Sequence, residues 1–282
     1  MSTAATAGRV REALAAASDA FAAAGVDTPR LDAEVLLAEA TGWDRAQLAA
    51  DPDAALDPPA GRRFGEMVRR RIRREPVAYI VGHKGFRHLE LAIDRRALIP
   101  RPETELLVEV ALELEPRTVL DVGTGSGAIA LAVADELPEC EVLATDTSEE
   151  ALALARENAE RLELASRVNF ERGTVPPERR FDLVLANLPY VREDEVPSLQ
   201  PEITEYEPRQ AVVAGGDGLE AIAVVAAAAS TALEEGGSLA LETGAGQAGA
   251  AAELLLDLGF LQVEGRQDLA GIPRVVLGRM AS

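Results

Sequence analysis

The sequence predicts an α/β chain: a mostly parallel sheet of about seven strands covered by helices, preceded by a small helical domain and a linking β-hairpin. Three observations carry this. From residue 118 onward, short apolar runs alternate with stretches of helical period almost to the C-terminus. The run Thr118-Val119-Leu120-Asp121-Val122-Gly123-Thr124-Gly125-Ser126-Gly127 reads as a buried strand entering a glycine turn, and helix formers follow it. The first 75 residues show helical patterns only, and a period of two appears first at 83–99.

In chain order, residues 9–24 are alanine-rich and stop at Gly25, and Thr28 with Pro29 offers an N-cap and a first-turn proline to a helix carrying Leu31, Val35, Leu36 and Ala38. Pro52, Pro58 and Pro59 mark a loop. The third helix, 61–75, carries Arg62, Arg63, Arg69, Arg70, Arg71, Arg73 and Arg74 in an otherwise acidic protein. Such a run is either a solvated face or a docking surface for an acidic partner. Leu89, Leu91 and Ile93 lie on one side of the hairpin. The prolines of 98–105 then impose an extended approach to a helix with Leu107, Val110, Ala111 and Leu114 on one face. Beyond the glycine turn the pattern gives strands at 141–146, 168–170, 181–186, 238–242, 260–264 and 274–279. Helices fall at 148–164, with Thr147 and Glu150 as a capping box, at 219–234 and at 247–258. The stretch 191–218, rich in Glu, Pro and Gly, is too long for an idle connection. It is either a lid beside the site or a disordered segment.

The totals exclude several classes. The chain has 282 residues, 48% of them apolar, enough for a sizeable core and a smaller domain. It contains no apolar run long enough for a membrane span and no signal-peptide layout at its start, so a cytoplasmic protein is expected. Cys140 is the only cysteine, and His83 and His88 stand without a second ligand cluster, so neither an internal disulfide nor a Cys/His metal site is expected. A net charge of −20 opposes gripping bare nucleic acid.

In an open α/β sheet the ligand belongs at the carboxyl ends of the strands, where strand order reverses. A glycine turn there lets backbone approach a nucleotide-like cofactor, and Gly123, Gly125 and Ala128 also match the dinucleotide pattern. Asp146 ends the next strand and can accept from both ribose hydroxyls of an adenosine cofactor, S-adenosylmethionine or NAD alike. Asp121 either holds the glycine loop or lies near the cofactor's amino acid end. Asn187-Leu188-Pro189-Tyr190, at the end of the fourth strand, faces the same pocket. A planar nitrogen is a poor nucleophile because its lone pair is delocalised. Two acceptors in its plane, the Asn187 side-chain oxygen and the Leu188 carbonyl, can take its N–H bonds and favour a pyramidal nitrogen, while Tyr190 stacks on the flat group. Pro189 biases Leu188 to extended geometry and so sets the direction of that carbonyl.

These residues resemble the PrmC/HemK release-factor glutamine methyltransferases. The resemblance covers nearly the whole chain: Glu75-Pro76-Val77-Ala78-Tyr79-Ile80 with Gly82 and Phe86; Leu98-Ile99-Pro100-Arg101-Pro102-Glu103-Thr104-Glu105; the glycine turn; Tyr206-Glu207-Pro208; Gly215-Gly216-Asp217-Gly218-Leu219; and Leu241-Glu242 with Gln247. It implies a Rossmann-like class I methyltransferase sheet at 100–282, a linker with the hairpin at 76–99 and a helical substrate-recognition domain at 1–75. It also implies S-adenosyl-L-methionine as cofactor and methylation of the side-chain N5 of the glutamine in the Gly-Gly-Gln motif of peptide chain release factors, by a monomer. By matched position Asp121, Gly123, Thr124, Gly125, Ser126, Gly127, Asp146 and Asn187 hold cofactor, and Asn187, Leu188, Pro189 and Tyr190 hold the target glutamine.

The chain departs from the family pattern twice. Leu188 replaces the first proline of Asn-Pro-Pro-Tyr, and Gly173-Thr174-Val175 stands where an Asp and an aromatic commonly contact adenine. Thr174 and an apolar touch from Val175 are the expected substitutes. Three other readings are open: an adenine-N6 methyltransferase acting on ribosomal RNA, which uses a similar Asn/Tyr motif; an NAD-dependent dehydrogenase, supported by the glycine match alone; and a cofactor-binding protein without turnover.

Overall fold

Amphipathic stripes close the first unit. In α1 (Val10–Ala23) the residues Val10, Leu14, Ala17 and Phe21 recur at helical spacing and are buried. They meet Leu36 and Leu37 of α2 (Pro29–Thr41), Leu48 of α3 (Arg45–Ala50), Phe64 of α4 (Pro58–Ile72) and Ile80 of α5 (Val77–Val81). This computed structural model describes residues 8–281 and divides into Met1–Gly82 and His83–Ser282. The helical unit therefore runs past residue 75 to Gly82, because Ile80 is part of its core, and the hairpin belongs with the sheet.

The arginine run of α4 resolves into a mainly internal device. Arg71 donates to Asp32 at 2.7 Å with both side chains buried. Arg63 donates to the Ala40 carbonyl in the last turn of α2, and Arg74 to the Ala24 and Gly25 carbonyls beyond α1. Arg70 grips Glu75 at 2.8 Å and the carbonyls of Tyr79 and Ile80. Guanidinium groups thus cover helix C-termini, where carbonyls lack intrahelical partners and the dipole favours positive charge. Arg62, Arg63, Arg69 and Arg73 are exposed all the same.

The second unit opens with the hairpin of β1 (His83–Phe86) and β2 (Leu89–Ala92), followed by a short 3₁₀ turn (Pro102–Thr104) and α6 (Glu105–Leu114). The alternating part is β3 (Thr118–Val122), α7 (Ala128–Glu136), β4 (Glu141–Asp146), α8 (Glu149–Arg161), β5 (Val168–Arg172) and β6 (Phe181–Ala186). Then come β7 (Val191–Arg192), α9 (Pro201–Tyr206), α10 (Arg209–Val212), β8 (Val213–Gly215), α11 (Glu220–Ala232), β9 (Leu233–Glu242), α12 (Ala248–Asp257), β10 (Leu261–Gln267) and β11 (Pro273–Arg279). Seven strands form one sheet in the order β10-β11-β9-β6-β3-β4-β5, in which β11 runs antiparallel to its neighbours β9 and β10 and the other six strands share one direction. Alternate residues face alternate sides: Leu120, Val122, Val184 and Leu241 pack with α11 and α12, while Asp121 points to α7. The sheet and its helices are those the alternation predicts.

Local details differ from the sequence reading for local reasons. The cap of α8 is Ser148, which accepts the Ala151 N–H at 3.2 Å; with alanine at that third position no box closes, so the expected Thr147/Glu150 box is replaced by a simple serine cap. The stretch 191–218 is folded: β7 pairs with β8, and the buried Glu207 accepts the Ile99 N–H at 3.3 Å and pairs with Arg101. Removing one member of a buried ion pair strands the other's charge, so Asp32→Ala is expected to destabilise the helical unit by roughly 3–5 kcal/mol in denaturant unfolding.

Candidate active site

The site follows from one register. β3 and β6 are parallel neighbours with Val122 opposite Ala186, so the residues that leave the two strands, Gly123 and Asn187, emerge side by side. From β3 the chain continues outward to β4, and from β6 the other way to β9, which makes this the point where strand order reverses.

The glycine turn is shaped by backbone. Gly123, Gly125 and Gly127 have φ of 77°, 57° and 85°, in the left-handed region that side chains disfavour. The Gly123 and Thr124 N–H groups both donate to the Thr145 carbonyl, at 2.8 and 2.9 Å, and the Gly125 N–H donates to Asp146 Oδ2 at 3.0 Å. A Cβ at Gly123 would lie 3.3 Å from Leu188 Cδ2, and one at Gly127 3.0 Å from Leu131 Cδ1 and 3.2 Å from Ala155 Cβ. Asp121 is fully buried behind the turn: the Thr124 hydroxyl donates to its Oδ2 at 2.6 Å and the Ala130 N–H at 3.2 Å. Its Oδ1 has no partner among the described residues, and burial pushes the carboxyl up to about 7. Of its two expected places, it takes the one that holds the loop. Buried Asn158 supports the far side, donating to the Ser126 carbonyl at 2.9 Å while accepting the Ala92 N–H at 2.7 Å.

A cavity of about 520 Å³ opens between the turn and the end of β6, within the size range of small-molecule sites. Gly123, Thr124, Gly125, Ser126 and Asp146 line one side, Asn187, Leu188 and Pro189 another, and Thr174 the rim. Gly127 is not in the lining; it starts α7 beneath the turn. Val175 packs instead against the hydrophobic core beside β6. Tyr190 also lies outside the lining: its ring stands against Gly244, and its carbonyl accepts from Gln247 Nε2 at 2.9 Å. Burial pushes its hydroxyl up to about 12.

The Asn187 side chain is fixed at its amide end. Its Nδ2 donates to Thr104 Oγ1 at 3.1 Å, and the polar Thr104 side chain offsets part of the burial of Glu242 at the end of β9. Glu242 is only 2% exposed, and burial pushes it up to about 7. Sequence reasoning missed Thr104 and Glu242 as site residues, as well as Ala221, Val224 and Val225 of α11, which form an apolar wall of the cavity. The last three had a signal: residues 221–229 contain no polar side chain, so α11 has no face suited to water on every side. Thr104 and Glu242 each stand in a block that carries the family resemblance, but, being far apart in sequence, nothing in those blocks joins them to Asn187.

The residues fit a nucleoside cofactor. Gly123 keeps a Cβ out of the cradle, and Asp146, bonded by Gly125 N–H and by Ser148 N–H at 2.9 Å, keeps lone pairs for hydroxyl donors.

Comparison with known proteins gives the same picture. Residues 12–82 match the family model described as PrmC N-terminal domain, and residues 102–217 the one described as methyltransferase small domain. A release factor glutamine methyltransferase of Cereibacter sphaeroides is 42% identical over 96% of this chain and 99% of its own length. One of Geobacter sulfurreducens is 41% identical, with 91% of each chain covered. Among solved structures, a methyltransferase from Pyrococcus furiosus has a TM-score of 0.54 at 20% identity, covering 71% of this chain and 92% of that one. The catalytic domain of hMettl16, solved with an RNA hairpin, has a TM-score of 0.55 at 16% identity, covering 68% and 76%. At that identity the likeness is one of fold.

Two predictions come from the turn. Gly123→Ala forces a side chain into the left-handed region against Leu188, and is expected to weaken cofactor binding measured by calorimetry. For Asp121, a folded-state value above the unfolded one means that its contribution to stability is complete at low pH and is lost as pH rises toward about 7. The melting temperature of Asp121→Asn is therefore expected to gain on that of the wild type as pH is raised from about 4 to about 7.

Proposed function

This chain belongs to the family of release factor glutamine methyltransferases, and from that premise we propose that Asn187 and Leu188 hold the carboxamide of the glutamine in the Gly-Gly-Gln loop of a peptide chain release factor. The enzyme is an S-adenosyl-L-methionine-dependent protein (glutamine-N5) methyltransferase. The observation that supports the placement is the tether of Asn187: with its Nδ2 on Thr104, its Oδ1 is the end left for the cavity.

S-adenosyl-L-methionine, when bound, supplies a methyl group on a sulfonium centre. The turn at 123–127 would cradle it, Asp146 would accept from its ribose hydroxyls, and Thr174 with the apolar wall of Val224 and Val225 would flank its base. Asn187 Oδ1 and the Leu188 carbonyl accept the two N–H bonds of the target amide. That weakens conjugation of the nitrogen lone pair with the amide carbonyl and directs it out of the amide plane. Leu188 serves in place of proline because its part is played by backbone, while its side chain is buried against Gly123. Tyr190, whose ring stands outside the lining against Gly244, would have to turn toward the cavity to stack on the flat group. Holding the two reactants in line supplies much of the remaining rate.

The segment 191–218, tied down through Glu207, forms a wall for the release-factor loop, and the helical unit reads the rest of that partner. No helix among the described residues is long and apolar enough to cross a membrane. Our reading is of a monomer at work in the cytoplasm, where release factors act. The reading of the target as an adenine of ribosomal RNA has no comparable support, since the solved structure that holds RNA shares only the fold.

The reading is tested by incubation with labelled S-adenosyl-L-methionine, a recombinant release factor and ribosomal RNA, followed by locating the label, expected on a glutamine. Asn187→Ala is expected to lower turnover about 100-fold or more with cofactor affinity retained, the scale of losing one preorganised polar contact. Asp146→Ala, in contrast, is expected to weaken cofactor binding by about tenfold or more, as loss of charge-assisted hydrogen bonds does.

A further inference from the structure

We propose that Gln247 is a positioning residue: it fixes the Tyr190 end of the 187–190 loop and so sets the aim of the Leu188 carbonyl. This rests on that loop holding the target amide as described above. Gly218 and Gln247 stand outside the cavity lining, yet both close on the loop from behind.

The loop has two ends. At the first, pairing of β6 with β3 and β9 holds Ala186 opposite Val122 and Leu241. At the second, Gln247 Nε2 donates to the Tyr190 carbonyl at 2.9 Å. Between them Pro189 has a fixed φ and restricts Leu188, so the Leu188–Pro189 peptide has few ways to tilt once both ends are held. Releasing the Tyr190 end restores that freedom and lets the Leu188 carbonyl swing off its line.

The geometry leaves the Gln247 carboxamide one orientation. Its Oε1 accepts the Gly244 N–H at 2.9 Å, and a backbone N–H can only donate; its Nε2 meets a carbonyl, which can only accept. Turned over, the amide would set donor to donor and acceptor to acceptor. The Gln247 backbone is pinned as well: its N–H donates to the Gly244 carbonyl at 3.1 Å, and its carbonyl accepts from Ala251 at 3.0 Å where α12 begins. The tether is thus anchored on the start of a ten-residue helix.

Two glycines make room for it. A Cβ at Gly218 would lie 2.5 Å from Gln247 Nε2 and 2.6 Å from the Tyr190 carbonyl oxygen, and one at Gly244 2.7 Å from Gln247 Oε1 and 3.1 Å from Tyr190 Cδ2. A side chain at either place would part the tether. Three connections, from β6 to β7, from β8 to α11 and from β9 to α12, therefore meet at one hydrogen-bonded amide.

The test measures kcat, cofactor affinity and melting temperature for three variants. Gln247→Met keeps the length and removes both hydrogen bonds; it is expected to lower kcat about tenfold with cofactor affinity unchanged, a loss that a small misplacement of reacting groups brings. Gln247→Glu keeps the bond from Gly244 and suits a helix start, but sets an anion against the Tyr190 carbonyl. It is expected to lose at least as much turnover as Gln247→Met, whereas a role confined to starting α12 would spare it. Leu255→Ala, at a buried position of the same helix, is expected to lower the melting temperature while kcat well below melting stays within about twofold of wild type. Should Gln247→Met fail to fold, Gln247→Glu takes its place in the comparison. The proposal is overturned if either Gln247 variant turns over like wild type, if Leu255→Ala loses as much turnover as they do, or if cofactor affinity falls in step with kcat. Normal turnover of Asn187→Ala would instead show that the reading of the loop itself had failed.

Discussion

The pairing of β3 with β6 is the constraint from which the site follows. Because Val122 stands opposite Ala186 in parallel register, the first residues beyond the two strands share one small volume. A Cβ on residue 123 would lie 3.3 Å from Leu188 Cδ2, close enough that Leu188 would have to give way slightly, and the positive φ is what favours glycine there. A slip of the register would separate the glycine turn from Asn187 and turn the buried faces of both strands outward. Cofactor cradle and substrate clamp are thus two consequences of a single strand pair.

Two buried carboxylates hold the surroundings of that pair by accepting hydrogen bonds: Asp121 holds the glycine loop, and Glu207 holds the segment 191–208 against the proline block. A third, Glu242, is buried beside Thr104. Burial raises the proton affinity of all three, and the polar groups beside them offset part of that rise. The net charge of −20 is therefore mostly a surface property, while the few acidic groups placed inside serve geometry.

The helical unit shows a similar use of charge on the opposite sign. In α4 the arginines that a linear reading assigns to a solvated face or to a partner reach back to the ends of α1 and α2 and to the chain beyond α4. A guanidinium has enough reach and enough donors to close several open carbonyls. Nothing in a sequence separates such an arginine from a surface one, because the carbonyls it serves belong to backbone and leave no mark on residue type.

Periodicity and turn chemistry, which act over a few residues, were sufficient to determine the α/β class, the strand and helix order, the glycine turn and the Asn187 motif. Each of those depends on neighbours in the chain, and 118–127 or 187–190 state it directly. Only the tertiary structure decided that Val175 and Tyr190 lie outside the lining while Val224 enters it, that 191–218 is folded, and that Thr104 accepts from Asn187. These depend on which strand lies beside which. That is a property of contacts between residues far apart in sequence, and it is set when the sheet closes.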